Sequence, residues 1–212
     1  MIFCCTTKLN LLNPHPLFDN FGNSVSKKEA LVHLKLDESF KYILFFGFIR
    51  DYKGLDILFE AMKDRSLRDN KIKLIVAGEY YSNEQKYLDL LKQYAIEEDV
   101  ELFTEFIPNE EVALYFSAAD IVVQPYKTAT QSGITQIAYH FEKPMIVTDV
   151  GGLKEIVPEN KVGFVVKPKA EELAGAILKF YSSDIDFDKH IKEEKKKYSW
   201  IRLVNKIESL MS

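Results

Sequence analysis

Two cysteines, side by side at Cys4 and Cys5, are all that this chain of 212 residues carries. Neighbouring cysteines make neither an ordinary disulfide nor a zinc site, so a reducing compartment fits best. Long apolar runs are missing as well. No stretch approaches the ~18 consecutive apolar residues of a membrane-spanning helix. The start, Met1 to Leu12, has only a short apolar run before Lys8 and lacks the longer segment of a signal peptide. Nor is there an excess of one charge: 28 Lys and Arg stand against 32 Asp and Glu, a net charge of −4 mixed along the chain. Nothing in that balance points to nucleic acid or to an anionic membrane. The four histidines, His15, His33, His140 and His190, are scattered, and none has metal-ligand spacing with a partner. No Ser-His-Asp or Cys-His arrangement is visible. These absences predict a cytoplasmic protein with no metal centre and no indicated membrane association.

What is present is apolar material in a regular rhythm. Hydrophobic residues make up 47% of the chain, and a chain of this length buries roughly 70% of its unfolded surface. Residues 1–40 begin irregularly, with turn signals at Asn13-Pro14-His15-Pro16 and Asn20-Phe21-Gly22-Asn23-Ser24. A helix is predicted at Lys27 to Leu34, with Ser26 as N-cap and Glu29 completing a capping box. From residue 41 apolar strands alternate with helical patterns. The strands are Lys41–Gly47, Ile72–Gly78, Val100–Phe106, Asp120–Pro125, Pro144–Thr148 and Gly163–Val166. Between them, Leu55, Leu58, Phe59 and Met62 recur at helical spacing, as do Val112, Tyr115, Phe116 and Ala119, and Tyr87, Leu90, Leu91 and Tyr94. A further helix is expected at Lys169 to Tyr181. The fold class is therefore α/β: a Rossmann-like, doubly wound parallel sheet of about six strands with helices on both faces.

In such folds ligands bind beyond the C-terminal ends of the strands, and two loops on that rim have the chemistry to hold an anion. In Phe45-Phe46-Gly47-Phe48-Ile49-Arg50-Asp51-Tyr52-Lys53-Gly54 a strand runs into a glycine, two cations follow, and a second glycine opens a helix. Gly47 permits close backbone approach, the helix start offers N–H groups, and Arg50 and Lys53 supply charge as a planar fork and a point charge. The stretch is neither a Walker A loop nor a G-x-G-x-x-G turn, and it reads equally as a surface turn with two solvated cations. The second loop, Thr128-Ala129-Thr130-Gln131-Ser132-Gly133, leads into a helix at Ile134–Phe141; it is either another anion-binding helix start or an ordinary loop capped by Ser132. Two such loops on one edge suit a diphosphate better than a monophosphate. Glu79 and Glu155 sit where they can reach a ligand hydroxyl or simply be solvated. The run Lys189–Lys197 reads as a solvated helix face, and Trp200 as a packing anchor for the last helix.

Taken together, Phe45-Phe46-Gly47 through Arg50-Asp51-Tyr52-Lys53-Gly54-Leu55, Gln131-Ser132-Gly133, Gln136-Ile137-Ala138-Tyr139, Lys143-Pro144 through Gly151-Gly152, and Tyr198-Ser199-Trp200 resemble the retaining GT-B glycosyltransferases of family four. The resemblance runs over roughly residues 13–212. It implies sugar transfer from a nucleotide diphosphate sugar with retention at the anomeric carbon, with no cofactor and usually no metal. It implies donor-diphosphate contacts from Gly47, Arg50, Lys53, Gln131, Ser132 and Gly133, and ribose or base contacts from Phe106, Ile107 and Gln136. It divides the chain into a linker-like segment 1–40, a nucleotide-sugar-binding domain 41–198 and a C-terminal helix 199–212.

Three departures accompany it. Arg50 sits three residues after Gly47 rather than directly after it. The stretch Ala129 to Ile137, where many members carry Glu-x7-Glu, holds no acid, and Gln131 and Gln136 are the nearest polar substitutes. A glutamine hydrogen-bonds a hydroxyl but supplies no negative charge near an oxocarbenium-like centre, so no catalytic residue is assigned. Finally, the resemblance covers the linker and donor-binding domain alone. The expectation is a donor-binding domain whose acceptor is held by a separate acceptor-domain chain, and which is inactive by itself; the alternative is a non-catalytic nucleotide-sugar-binding or remnant protein.

Overall fold

The computed structural model describes residues 15–211. Cys4, Cys5, the Met1–Leu12 stretch and Asn13-Pro14 lie outside the described residues. In chain order the elements are α1 (Lys27–His33), β1 (Lys41–Phe46), α2 (Leu55–Ala61), α3 (Arg65–Asp69), β2 (Ile72–Ala77), α4 (Glu84–Tyr94), β3 (Val100–Phe103), α5 (Val112–Ala118), β4 (Ile121–Gln124), α6 (Gly133–His140), β5 (Met145–Thr148), α7 (Leu153–Ile156), β6 (Gly163–Val166), α8 (Ala170–Ser182), α9 (Phe187–Lys195) and α10 (Trp200–Met211).

The six strands form one sheet in the order β3-β2-β1-β4-β5-β6, and every pairing is parallel. The central strands explain why. Tyr42 to Phe45 of β1, and all of β4 and β5, are buried, as near-continuous apolar strands must be when helices cover both faces. Helices α2, α3, α4 and α8 neighbour one another on one side; α1 packs with α5, and α6 with α9, on the other. The strand order reverses between β1 and β4, which are adjacent. In this topology the crevice at that reversal, beyond the C-terminal strand ends, is where ligands sit.

Local chemistry accounts for the boundaries. The Ser26 hydroxyl accepts from the Glu29 N–H at 3.2 Å and caps α1, and Ala30 and Leu31 of that helix are buried. Lys27 pairs with Asp120, which also accepts from the Tyr42 N–H and the Tyr181 hydroxyl. The third strand stops at Phe103 rather than Phe106. Its last ladder bond is Gly78 N–H to Phe103 O, 2.9 Å, and Glu105 and Phe106 beyond it are exposed. Two short helices escaped the periodicity reading, α3, capped by Asp64, and α7, of four residues. Both are too short to show an amphipathic repeat. Trp200 is 48% exposed and is tied down by a hydrogen bond from its indole N–H to Leu17 O at 3.1 Å. The buried anchor of that segment is Tyr198, whose ring meets Tyr139 at 4.8 Å. Among the described residues no helix is long and apolar enough to cross a membrane.

Candidate functional site

The loop leaving β1 is interlocked with the loop leaving β2. Gly78 has φ +134, and a side-chain carbon there would lie 2.7 Å from the Gly47 carbonyl group, so the two backbones run side by side so closely that only glycine fits. Beyond this close approach the loops are zipped in parallel. Ile49 N–H donates to Glu79 O at 2.8 Å, and Tyr81 N–H donates to Ile49 O at 3.1 Å. Asp51 accepts from Lys86 at 2.7 Å and from the Tyr87 hydroxyl at 3.2 Å, which ties the loop to α4. Chain at the rim is thus held by backbone bonds, independent of any ligand.

Into this frame project two cations. Lys53 is 8% exposed, its Nζ 3.0 Å from where a side-chain carbon on Gly47 would sit and 6.0 Å from the centre of the Tyr126 ring. Burial, and then the nearby Arg50 charge, pull its pKa down from 10.5 to about 8. The carboxylates closest in sequence are engaged elsewhere, Asp51 with Lys86 and Asp56 with Lys127. Arg50 lays its guanidinium over the Tyr81 ring at 4.0 Å, and its Nε is buried without a hydrogen-bond partner. Among the described residues neither cation has an acidic partner. Two buried or half-buried charges left beside one another without an anion are costly to the folded protein, and an anionic ligand removes that cost.

Across the crevice lies the loop from β4 to α6. It is joined to the first loop by backbone contacts. Gly54 has φ +71, and a side-chain carbon there would come within 1.9 Å of Pro125 O; Lys127 N–H donates to Tyr52 O at 2.8 Å. Gly54 therefore serves this close approach as well as opening α2. Tyr126 links the two sides: Lys53 stands over its ring, and its hydroxyl meets Ser132 Oγ at 3.1 Å. Ser132 is the N-cap of α6, accepting from the Ile134 N–H at 3.2 Å.

Beside α6 opens a cleft of about 410 Å³. It is lined by Thr130 to Gly133, Gln136, Gly152, Glu155, Ile156, and three residues from the two ends of the domain, His15, Phe18 and Tyr198. Gln136 is 2% exposed, and its Oε1 has no partner among the described residues. A buried acceptor of this kind calls for a donor, such as a ligand hydroxyl. The sole carboxylate in the lining is Glu155.

The expected site residues thus fall into three places. Gly47, Arg50 and Lys53 gather at the end of β1. Gln131, Ser132, Gly133 and Gln136 line the cleft with Glu155. Phe106, 71% exposed, and the half-buried Ile107 stand on the loop after β3, away from the cleft lining. Sequence reasoning missed Tyr81 and Tyr126, which hold the two cations, and His15, Phe18 and Tyr198, which wall the cleft. Tyr126 was marked by its place directly after Pro125; the others are brought in by tertiary contacts with no local signal. Among the described residues no group of three His, Cys, Asp or Glu is placed to hold a metal ion.

Comparison with known proteins bears on this geometry. The family model described as "Glycosyl transferases group 1" matches residues 26–198. An uncharacterized glycosyltransferase of Methanocaldococcus jannaschii is 30% identical over 166 residues, covering 76% of this chain and 42% of that protein. The chain thus spans well under half the length of this relative. Among solved structures, the C-terminal domain of a group 1 glycosyl transferase, LpcC, from Francisella tularensis superimposes with a TM-score of 0.72 at 20% identity, over 85% of this chain and 97% of that domain. Sucrose-phosphate synthase from Thermosynechococcus elongatus gives 0.76 at 22% identity, over 95% of this chain and 51% of its own. At these identities the structural likeness speaks for the fold.

Proposed function

We propose, from the premise that this chain belongs to the glycosyl transferases group 1 family and has the fold of its C-terminal domain, that it binds the nucleotide diphosphate sugar donor for a retaining transfer whose acceptor is held by residues outside these 212. The observation that carries the reading is Lys53, buried beside Arg50 at the strand-order reversal with no carboxylate for either cation. A diphosphate placed there neutralises both charges. It is also the group that departs with the negative charge when the sugar–oxygen bond breaks, so the same cations stabilise the leaving group. The orphaned Gln136 Oε1 supports a hydroxyl contact to the ribose or sugar. Phe106 and Ile107 flank the base.

The test is calorimetric titration of UDP, GDP and ADP into the wild type and Lys53→Ala. Loss of one charge-assisted contact costs about 1.5–3 kcal/mol, roughly 10- to 150-fold in affinity. Equal affinity of both proteins for every nucleotide that binds would sink the assignment.

A second reading, donor binding without turnover, is favoured by one feature: residues 129–137 contain no acid, and Glu155 is the lone carboxylate lining the cleft. Transfer also needs donor and acceptor enclosed together away from water. The 212 residues by themselves are expected to give no measurable transfer and at most slow donor hydrolysis. Incubation with labelled nucleotide sugars and lipid or saccharide acceptors checks this; robust glycosylated product would refute it.

A further inference from the structure

An arginine that must meet a diphosphate has to be held in place by something that leaves its charge and its donors free. The usual holder is a carboxylate, which fixes the side chain but neutralises it and occupies its N–H fork. At Arg50 the structure uses an aromatic ring. The guanidinium carbon lies over the Tyr81 ring, 4.0 Å from its centre, a contact that, unlike a carboxylate, takes up none of the N–H donors and leaves the charge in place. Tyr81 comes from the loop after β2. It is fixed there by its own N–H bond to Ile49 O, one residue before Arg50, and by the stacking of the preceding Tyr80 ring on Tyr87 at 5.8 Å. It is 67% exposed, so core packing does not explain it.

We infer that Tyr81 is a positioning residue for Arg50: its ring sets the guanidinium at the diphosphate position without cancelling its charge. The inference rests on the proposed donor site and adds to it a residue from a different rim loop. The ring does the work, so phenylalanine should replace tyrosine. The effect should also pass entirely through Arg50 and through the diphosphate.

The experiment titrates UDP, GDP and ADP, and the matching monophosphates, into wild type, Tyr81→Phe, Tyr81→Ala, Arg50→Ala and the Tyr81→Ala/Arg50→Ala double variant. Thermal unfolding confirms that each is folded. Tyr81→Ala is expected to weaken the diphosphates roughly threefold to tenfold, to shrink the preference for diphosphate over monophosphate, and to cost nothing further in the Arg50→Ala background. Tyr81→Phe should match wild type. In proton NMR the Arg50 side-chain signals should be shifted upfield by the ring, and the shift should vanish in Tyr81→Ala. Unchanged diphosphate affinity in Tyr81→Ala, or an undiminished loss in the Arg50→Ala background, overturns the inference while leaving the donor site standing. An equal loss for monophosphates and diphosphates overturns it in favour of direct contact between Tyr81 and the base. Absence of the upfield shift overturns it whatever the affinities. Failure of the wild type to bind any of the diphosphates overturns the donor site itself, and the role of Tyr81 with it.

Discussion

The two sides of the crevice solve different problems. On the β1 side a stiff loop carries two cations with no acidic partner among the described residues, and each stands over an aromatic ring. On the β4 side the cleft groups from the loop and from α6 are neutral, Thr130 to Gly133 and Gln136. The Ser132 hydroxyl is already committed to Ile134 and Tyr126, and among the described residues lining the cleft the buried group left without a partner is an amide oxygen on Gln136. The first side is built to meet charge, which is long-ranged and tolerant of geometry. The second is built to meet a hydroxyl, which must arrive at a particular place. An unpaired lysine stores far more free energy against a ligand than an unpaired amide oxygen, so affinity should reside in the first side and discrimination in the second.

The harshest way to break the comparison is to separate the two sides. Gly54→Ala puts a side chain at φ +71 and into the Pro125 carbonyl. Backbone strain plus the clash is expected to cost about 3 kcal/mol or more, lowering the melting temperature by roughly 6–12 °C for a domain of this size. An unchanged melting curve would mean that the two loops are not packed together.

Next comes the charge. Lys53→Met should remove about 1.5–3 kcal/mol of diphosphate affinity and at the same time raise the melting temperature of the ligand-free protein, because it deletes a buried ammonium without a partner. Calorimetry and a thermal melt on one sample give both signs; a melting temperature that falls would contradict the account of Lys53 as an uncompensated charge.

The pH dependence is of intermediate size. The folded value of about 8 lies below the ordinary 10.5, so up to about pH 8 the folded chain carries a buried cation that the unfolded chain solvates freely. Stability of the ligand-free protein should therefore rise as pH climbs from about 8 towards 10.5. Diphosphate affinity should fall over the same window, about tenfold between pH 7 and pH 9, and the fall should be absent in Lys53→Ala. A wild-type profile parallel to that of the variant would remove Lys53 from the site.

The smallest effect belongs to the other side. Gln136→Leu replaces an orphaned buried acceptor with an apolar group of similar shape. It is expected to stabilise the free protein by about 1 kcal/mol and to weaken nucleotide sugars by a similar amount. A loss as large as that of Lys53→Met would erase the distinction between the two sides.

How much of this was legible in the sequence depends on how far apart the partners lie. The sheet was readable because each strand is a local apolar run and each helix a local period, and the strand at Gly163–Val166 appears with the expected bounds. Arg50 and Lys53 were readable because glycine, cation and glycine follow one another within eight residues. What each cation rests on was not. Tyr81 reaches Arg50 because the two loops carry the parallel β1–β2 register on past Gly47 and Gly78, and nothing local to either loop marks that pairing. The second duty of Gly54, its close approach to a carbonyl, was hidden for a related reason: that carbonyl belongs to Pro125, far along the chain. His15 and Phe18 join the cleft wall only through tertiary bonds.

Those bonds also set an order of events during synthesis. Leu17 donates to Tyr198 O and accepts from the Trp200 indole, a contact across 183 positions of sequence. At about 5–20 residues per second, a ribosome needs roughly 10–40 s to deliver the second partner after the first. Within that interval, once residue 77 has been made, β1 and β2 can pair and the cation loop can take its shape. Phe18 can lean on Gly133 once α6 is made, but the bonds that fix Leu17 beside it wait for Tyr198 and Trp200. The part of the molecule that meets charge is therefore assembled early, and the cleft that reads hydroxyls is closed last, by the joining of the two ends of the domain.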